Sequence, residues 1–343
     1  MPTPHDLTTA FNALVDTALD FIETSVVDLE TAPKLSVVHF ATGLELLLKA
    51  RLFSEHWALI AENPRKATWS ALSQGHVKTV GASELCAAVS AISGSQLGSQ
   101  EKAFNSVFTH RNRALHFMLV GDKAQIAAEQ LTAWYHLHML LGSAWSPVFA
   151  AYQTRIAAVE SKLMRNRKYL QVRFRQLKSI LAGKSKAGVI IGCPSCTFLA
   201  AELASATSVA PAVACHVCKS NFSAVNFGCS NWSIVGDGQT NFECKCGSTH
   251  DIDDLVAKLD ATAHLSPKES VVHGPGVYHC GTCLDPEARV VDVDGEMVCL
   301  GCGERFGRRG VSSCEWCNEL WVGYDTEDSY LTGCEFCSGH DPD

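Results

Sequence analysis

The chain has 343 residues, of which 47% are hydrophobic and 19% charged, a composition that excludes a disordered or fibrous chain and predicts two or three globular domains. The formal net charge of −8 argues against nucleic-acid affinity spread over the whole molecule, but the charge is uneven. Residues 1–154 carry a net −3, residues 155–186 a net +9 and residues 187–343 a net −14.

Taken in order, Thr3-Pro4 begins a helix, with Thr as cap and Pro in its first turn, and Leu7, Phe11, Leu14, Ala18, Phe21 or Ile22, and Leu29 follow near period 3.6. Thr31 and Pro33 restart a second helix, whose stripe of Leu35, Val38, Ala41, Leu44, Leu48 and Leu52 is expected to pack antiparallel to the first. Glu45 falls beside that stripe. Its plain reading is a surface pair with Lys49, and its functional reading an accessory place in an active site. Residues 62–82 read as a loop, Ser83 to Ile92 as a short helix around the solitary Cys86, and Glu101 onward as a helix that runs into His110-Arg111-Asn112-Arg113-Ala114-Leu115-His116-Phe117. Gly121-Asp122 ends that region, and Ala124 to Leu141 is expected to be the last core helix. The uncharged run from Leu131 to Thr154 contains His136, His138 and Ser146-Pro147, which suits a buried helix better than a membrane span.

The crowding of His110, Arg111, Arg113 and His116 suits RNA cleavage. A ribonucleotide carries its own nucleophile, so a protein needs only to move protons, for which histidine is suited, and to neutralise phosphate charge, for which arginine is. Arg111, Asn112 and His116 match the signature of Arg, a polar residue and, a few positions on, His. Glu45-Leu46-Leu47-Leu48-Lys49 stands on a preceding helix. In these features residues 7–150 resemble the HEPN superfamily of all-helical ribonuclease and nucleotide-binding domains. The resemblance implies a metal-independent endoribonuclease with Arg111, Asn112, His116 and Glu45 in a composite site at a homodimer interface, and a defensive or toxin-like role. Arg51…His56 has similar spacing, but Leu52 follows its arginine, so it is a decoy. On an ideal helix His116 lies about 140° around from Arg111, and one chain has one signature histidine, so a two-fold dimer is expected to supply the second. The alternative is a non-catalytic nucleic-acid or protein adaptor that keeps the fold for dimerisation.

From Arg155 to Lys186 a basic connecting helix is expected, with Ile156, Leu163, Leu170 and Leu177 on one seam. Arg165, Arg167, Lys168, Arg173 and Arg175 on it, together with Arg113, are expected to meet RNA phosphates. Gly183 to Gly188 closes it as a boundary.

Fifteen of the 16 cysteines follow residue 192, mostly as Cys-x-x-Cys, which points to structural zinc. Cys193/Cys196 with Cys215/Cys218, Cys280/Cys283 with Cys299/Cys302, and Cys314/Cys317 with Cys334/Cys337 each fit one ion. Cys229, Cys244 and Cys246 need a fourth ligand, for which His250 is nearest and His264, His273 or His279 are substitutes. A cross-braced pairing of Cys193/Cys196 with Cys244/Cys246 stays open. About four ions are expected per chain. The expected organisation is a mainly α, HEPN-like helical bundle over 1–154, the basic helix over 155–188, two zinc-binding modules over 189–265 and two zinc ribbons over 266–343, all small and β-rich. Glycines such as Gly247, Gly301 and Gly303 are expected to serve the knuckle turns. The ribbons are expected to recognise the RNA or a protein trigger, with Arg305, Arg308 and Arg309 as a basic cluster or Trp316, Trp321, Tyr324 and Phe336 as an aromatic patch or internal core. Met1 to Asp6 lacks the basic and apolar parts of an export signal, so the reducing cytoplasm is the expected compartment.

Overall fold

The computed structural model describes residues 2–93, 97–116, 122–187, 189–226, 228, 232–236, 241–243, 247–251, 256, 278–286, 288–307 and 310–339. The chain divides into two units, Met1–Gln176 and Leu177–Asp343.

The first unit is helical. Thr3 accepts from the Asp6 N–H at 3.1 Å, and the Asp6 carboxylate accepts from the Thr3 N–H at 2.9 Å, which starts α1 (Pro4–Thr31) with a closed capping box. Ala32 separates it from α2 (Pro33–Glu55). Then come α3 (Trp69–Ser73), α4 (Ala82–Ser93), α5 (Ser99–His116) and α6 (Lys123–Gly142), the last capped by Asp122. The sequence pattern predicts a one-sided α2, whereas Val37, Phe40, Ala41, Leu44, Leu47 and Leu48 are all buried and Leu35 stays 53% exposed. Burial on several faces follows from position, since α1, α4, α5 and α6 all pack against this helix. Its approach to α1 is close: a Cβ on Gly43 would lie 2.6 Å from the Ala18 carbonyl oxygen and 2.8 Å from Ile22 Cγ1. Ser36 donates to the Ser25 carbonyl at 2.7 Å and accepts from Gln130 Nε2 at 2.8 Å, so one buried hydroxyl ties α1, α2 and α6 together.

The basic helix expected over 155–186 is two helices, α7 (Gln153–Leu163) and α8 (Arg167–Lys186). Asn166 makes the break, its side-chain oxygen accepting from the N–H groups of Lys168 (2.9 Å) and Tyr169 (3.2 Å). Neither helix is a bare connector. Ile156, Val159, Leu163, Tyr169 and Val172 complete the same core, so α6 is not its last helix. Arg155 clamps α7 to α1 through Asp16 (3.0 Å), Asp20 (2.7 Å) and Glu23 (2.9 Å). Among the described residues no helix is long and apolar enough to cross a membrane.

The second unit is β-rich. Strands β1 (Ile190–Gly192), β2 (Leu199–Leu203), β3 (Ala212–Cys215), β4 (Asn221–Val225) and β5 (Ser233–Val235) form an antiparallel meander. A separate hairpin joins β6 (Asn241–Glu243) to β7 (Thr249–Asp251). The remaining strands are β8 (Tyr278–Cys280), β9 (Val290–Val293), β10 (Glu296–Cys299), β11 (Arg305–Gly307), β12 (Val311–Ser313) and β13 (Leu320–Val322), followed by one turn of helix, α9 (Ser329–Thr332). They make one six-stranded sheet in the order β11-β10-β9-β8-β13-β12, in which β13 runs parallel to β8. Val225 and Val235 of the first sheet share a buried cluster with Val291, Val293 and Val298 of the second.

Gly43→Ala is expected to force α1 and α2 apart and to lower stability by about 1–3 kcal/mol, the usual range for overpacking a core. A urea melt followed at helical wavelengths measures it.

Candidate functional site

Arg111, Asn112 and His116 all lie on α5, which stays helical to its last residue, so Arg111 and His116 keep the five-residue offset that points them apart. Arg111 is half-buried. Its Nη1 donates to Glu45 Oε2 at 2.9 Å and its Nε to the Asn112 side-chain oxygen at 3.0 Å, while Nη2 makes no hydrogen bond among the described residues. The guanidinium also sits 5.8 Å from the Phe108 ring centroid. Asn112, Arg113 and His116 are exposed.

Glu45 is not a surface residue. Its other oxygen accepts from Lys49 Nζ at 2.7 Å, and Lys49 donates in turn to Thr79 at 3.0 Å. Burial pushes the Glu45 carboxyl upward, but the hydrogen bonds and charges of Lys49 and Arg111 outweigh it and hold its pKa below the ordinary value. One carboxylate thus joins α2 to α5 across 66 residues of sequence. In the pair set aside as a decoy, Arg51 is buried and binds Glu55 at 2.7 Å, and His56 Nδ1 accepts from the Ala58 N–H at 3.2 Å.

His110, part of the crowded stretch but given no role by the signature, faces α6. Its Nε2 lies 2.9 Å from Glu129 Oε2 on α6, and Ser106 and Gln125 also hydrogen-bond that carboxylate. Burial acts against the charged form of Glu129, yet these bonds lower its pKa. Gln125 lines a groove of about 370 Å³ with Ala124 and Ala128 of α6 and Lys168, Gln171, Val172 and Arg175 of α8. Two of the expected phosphate contacts, Lys168 and Arg175, therefore share a cleft, and Arg165 and Arg167 are exposed nearby in the chain. Arg173 is a correction. It is 5% exposed and donates to Glu160 at 2.6 Å, and Glu160 also accepts from Trp134 Nε1 (2.8 Å) and the Tyr169 hydroxyl (2.7 Å). A charge buried in that way serves packing and is closed to RNA. A larger, apolar cavity of about 710 Å³, walled by Phe11, Phe53, Trp57 and Val148, has no residue of α5 in its lining.

In the β-rich unit the sulfurs of three groups lie within 4.8 Å of one another: Cys193, Cys196, Cys215 and Cys218; Cys280, Cys283, Cys299 and Cys302; Cys314, Cys317, Cys334 and Cys337. Individual Sγ···Sγ distances run from 3.5 Å (Cys193 to Cys218) to 3.9 Å (Cys283 to Cys299). A disulfide would bring sulfurs to about 2.05 Å, whereas a tetrahedral ion with metal–sulfur bonds of about 2.3 Å spaces them about 3.8 Å apart. The groups are therefore compatible with zinc. Five knuckles repeat one turn, in which the residue after the second cysteine donates its N–H to the first cysteine's carbonyl: Thr197, Lys219, Leu284, Gly303 and Asn318, at 2.8–3.1 Å. All five have φ between 53° and 79°. Only one is glycine, so the expectation of glycine knuckles is corrected: the other four accept a left-handed conformation that costs roughly 1–2 kcal/mol each. Closing the thiol cage offsets that strain.

No protein-family model matches the chain, and neither a curated protein nor a solved structure matches it.

The fourth expected site falls mostly outside the described residues, which omit Cys229, Cys244 and Cys246 as well as the substitutes His264 and His273. His250 sits on β7 opposite Phe242. The remaining substitute, His279, packs on Phe336 at 4.5 Å and on Trp321 at 5.3 Å and bonds Glu319 at 2.9 Å. Arg305 is held by Glu296 at 2.6 Å, Ser223 at 3.2 Å and the Ala210 carbonyl, so it is no free cation for phosphate; Arg308 and Arg309 lie outside the described residues.

Two outcomes are expected. Glu45 has a depressed pKa in the folded state, so its stabilising contribution is present above the unfolded carboxylate value and is lost as pH falls through the folded value. The stability difference between wild type and Glu45→Gln, from urea melts, should therefore be level above about pH 5 and shrink below about pH 4. Elemental analysis should return at least three ions per chain, and chelation should erase β-sheet signal while leaving the helical signal of α1 to α7.

Proposed function

We propose that the chain is a metal-independent endoribonuclease of HEPN type, working in the cytoplasm as a homodimer, with structural zinc in its C-terminal unit. The observation that carries the reading is the bond from Arg111 to Glu45. It joins the Arg-Asn…His signature on α5 to the Glu-Leu-x-x-Lys helix α2, the two features on which the HEPN resemblance rests. Arg111 is fixed at two of its nitrogens and keeps Nη2 for a phosphate oxygen.

In the proposed reaction the ribose 2′-oxygen attacks the adjacent phosphorus as the bond to the leaving 5′-oxygen breaks, giving a 2′,3′-cyclic phosphate and a 5′-hydroxyl. One His116 accepts the 2′-hydroxyl proton and the His116 of the second copy donates one to the leaving oxygen. Arg111 neutralises the charge that grows on the phosphoryl oxygens. Two copies are needed because Arg111 and His116 of one helix face different ways. The Lys168–Arg175 groove and exposed Arg113, Arg165 and Arg167 supply sequence-independent attraction for the RNA backbone. Four thiolates leave zinc no open position for water, so the zinc sites stay out of the chemistry. Reduced thiols need a reducing compartment, which supports the cytoplasm. Rapid growth arrest on expression of the wild-type gene would accord with a defensive role.

A second reading, a non-catalytic adaptor, draws on one observation: Glu45 already neutralises Arg111, as a purely structural ion pair would. Purified protein incubated with total RNA, without added metal, separates the two. The expected result is new 2′,3′-cyclic phosphate ends, lost by about 100-fold or more in Arg111→Ala and in His116→Ala and kept in His56→Ala, each variant folding normally. Signature variants that cut like wild type would remove the catalytic assignment.

A further inference from the structure

The third thiol group carries a surface that the catalytic reading does not use. Among the described residues, five of the twelve large apolar side chains that stay exposed fall within residues 311–339: Val311, Trp316, Tyr330, Leu331 and Phe336. Such concentration in a tenth of the chain marks a patch rather than scatter. Trp321, which is fully buried and stacked between Tyr324 (4.3 Å) and Phe336 (4.9 Å), already fills the small core of this module. Trp316 and Tyr330 are left outside it, 43% and 49% exposed, edge to face at 5.8 Å, with Leu331 beside them at 61%. The pair is held in place: Ser329 accepts from the Glu315 N–H at 2.8 Å and donates to the Thr326 carbonyl at 2.6 Å, pinning α9 to the knuckle that bears Trp316.

Charge selects the occupant. Residues 311–343 contain eight Asp and Glu and no Lys or Arg, and Glu315, Glu319, Asp325, Glu327, Asp328 and Glu335 are exposed. Four thiolates around a divalent ion add a further net −2. RNA phosphate is repelled by such a field. We propose that the Trp316–Tyr330–Leu331 surface docks a Lys- and Arg-bearing peptide segment. The alkyl stems of such side chains lie on Trp316, Tyr330 and Leu331, and their charged heads meet the ring faces and the carboxylates of Glu315, Glu327 and Asp328. This surface takes a protein, not the RNA, and it stands whether or not α5 is catalytic.

The test uses full-length protein and fluorescence anisotropy with three labelled probes: a twelve-residue peptide of Arg-Ser-Lys-Gly repeats, a matched glutamate peptide and a 2′-O-methylated single-stranded RNA, which lacks the free 2′-hydroxyl that cleavage needs. The cationic peptide is expected to bind, and to bind less as salt rises. Trp316→Ala and Tyr330→Ala, at unchanged metal content, are each expected to weaken it about fivefold or more, whereas Trp316→Phe keeps most of the affinity. Failure of the cationic peptide to bind overturns the proposal. Equal binding by both alanine variants also overturns it, because attraction by net charge alone would leave them unaffected. RNA binding that falls with Trp316→Ala would assign the surface to nucleic acid and overturn it as well. None of the three arms depends on cleavage, so a failed ribonuclease assay leaves this result readable.

Discussion

The helical unit depends on how close α2 can come to α1. With no side chain at residue 43, the Ala18 carbonyl and Ile22 pack directly on the α2 backbone. That contact places α2 at the centre of the bundle, covered by α1, α4, α5 and α6 in turn. Glu45, two residues beyond Gly43, is thereby carried into a half-buried position where Arg111 reaches it from α5. A wider spacing would lift Glu45 toward water, and the arginine would lose the partner that fixes its orientation. Packing at one helix face thus sets charge placement at another.

Two carboxylates organise the charge of this unit in different ways. Glu160 is nearly enclosed and fully used: Trp134, Tyr169 and Arg173 all converge on it, so α6, α7 and α8 share one acceptor. Breaking such a cluster strands a buried charge, at a cost of about 3–5 kcal/mol. Glu45 is only half-buried, and among the described residues the arginine it binds has one nitrogen, Nη2, outside any hydrogen bond. The first arrangement is closed and structural. The second is less enclosed, with its arginine bonded at two nitrogens.

Much of this was legible from local signals. Thr3-Pro4, Pro33 and Asp122 mark helix starts because their chemistry acts within a turn, and the Cys-x-x-Cys spacing marks the thiol groups because each knuckle is a local structure. What escaped is the set of partnerships made at a distance. Arg173 and Arg175 look alike in a basic run, yet they stand two residues apart on α8, about 200° around the helix, so one meets Glu160 and the other a groove. The Glu45–Arg111 bond spans 66 residues, and only the HEPN resemblance hinted at it. The glycine rule for knuckles failed for a physical reason: a thiol cage repays left-handed strain at Thr197, Lys219, Leu284 and Asn318, so glycine is not required there.

The two units therefore hold their shape by different means. Among the described residues, thirty-nine buried side chains form one continuous apolar cluster in the helical unit. In the β-rich unit the strands are three to five residues long, and a cluster such as Cys314, Trp321 and Cys334 is too small to offset the chain entropy of its own module. Its stability rests on the thiol groups, through metal binding that is itself folding free energy. Oxidant or metal depletion acts on thiolates first. Such stress would dissolve the aromatic and acidic surface of the last module while the Arg111–Glu45 arrangement on α5 and α2 stayed intact.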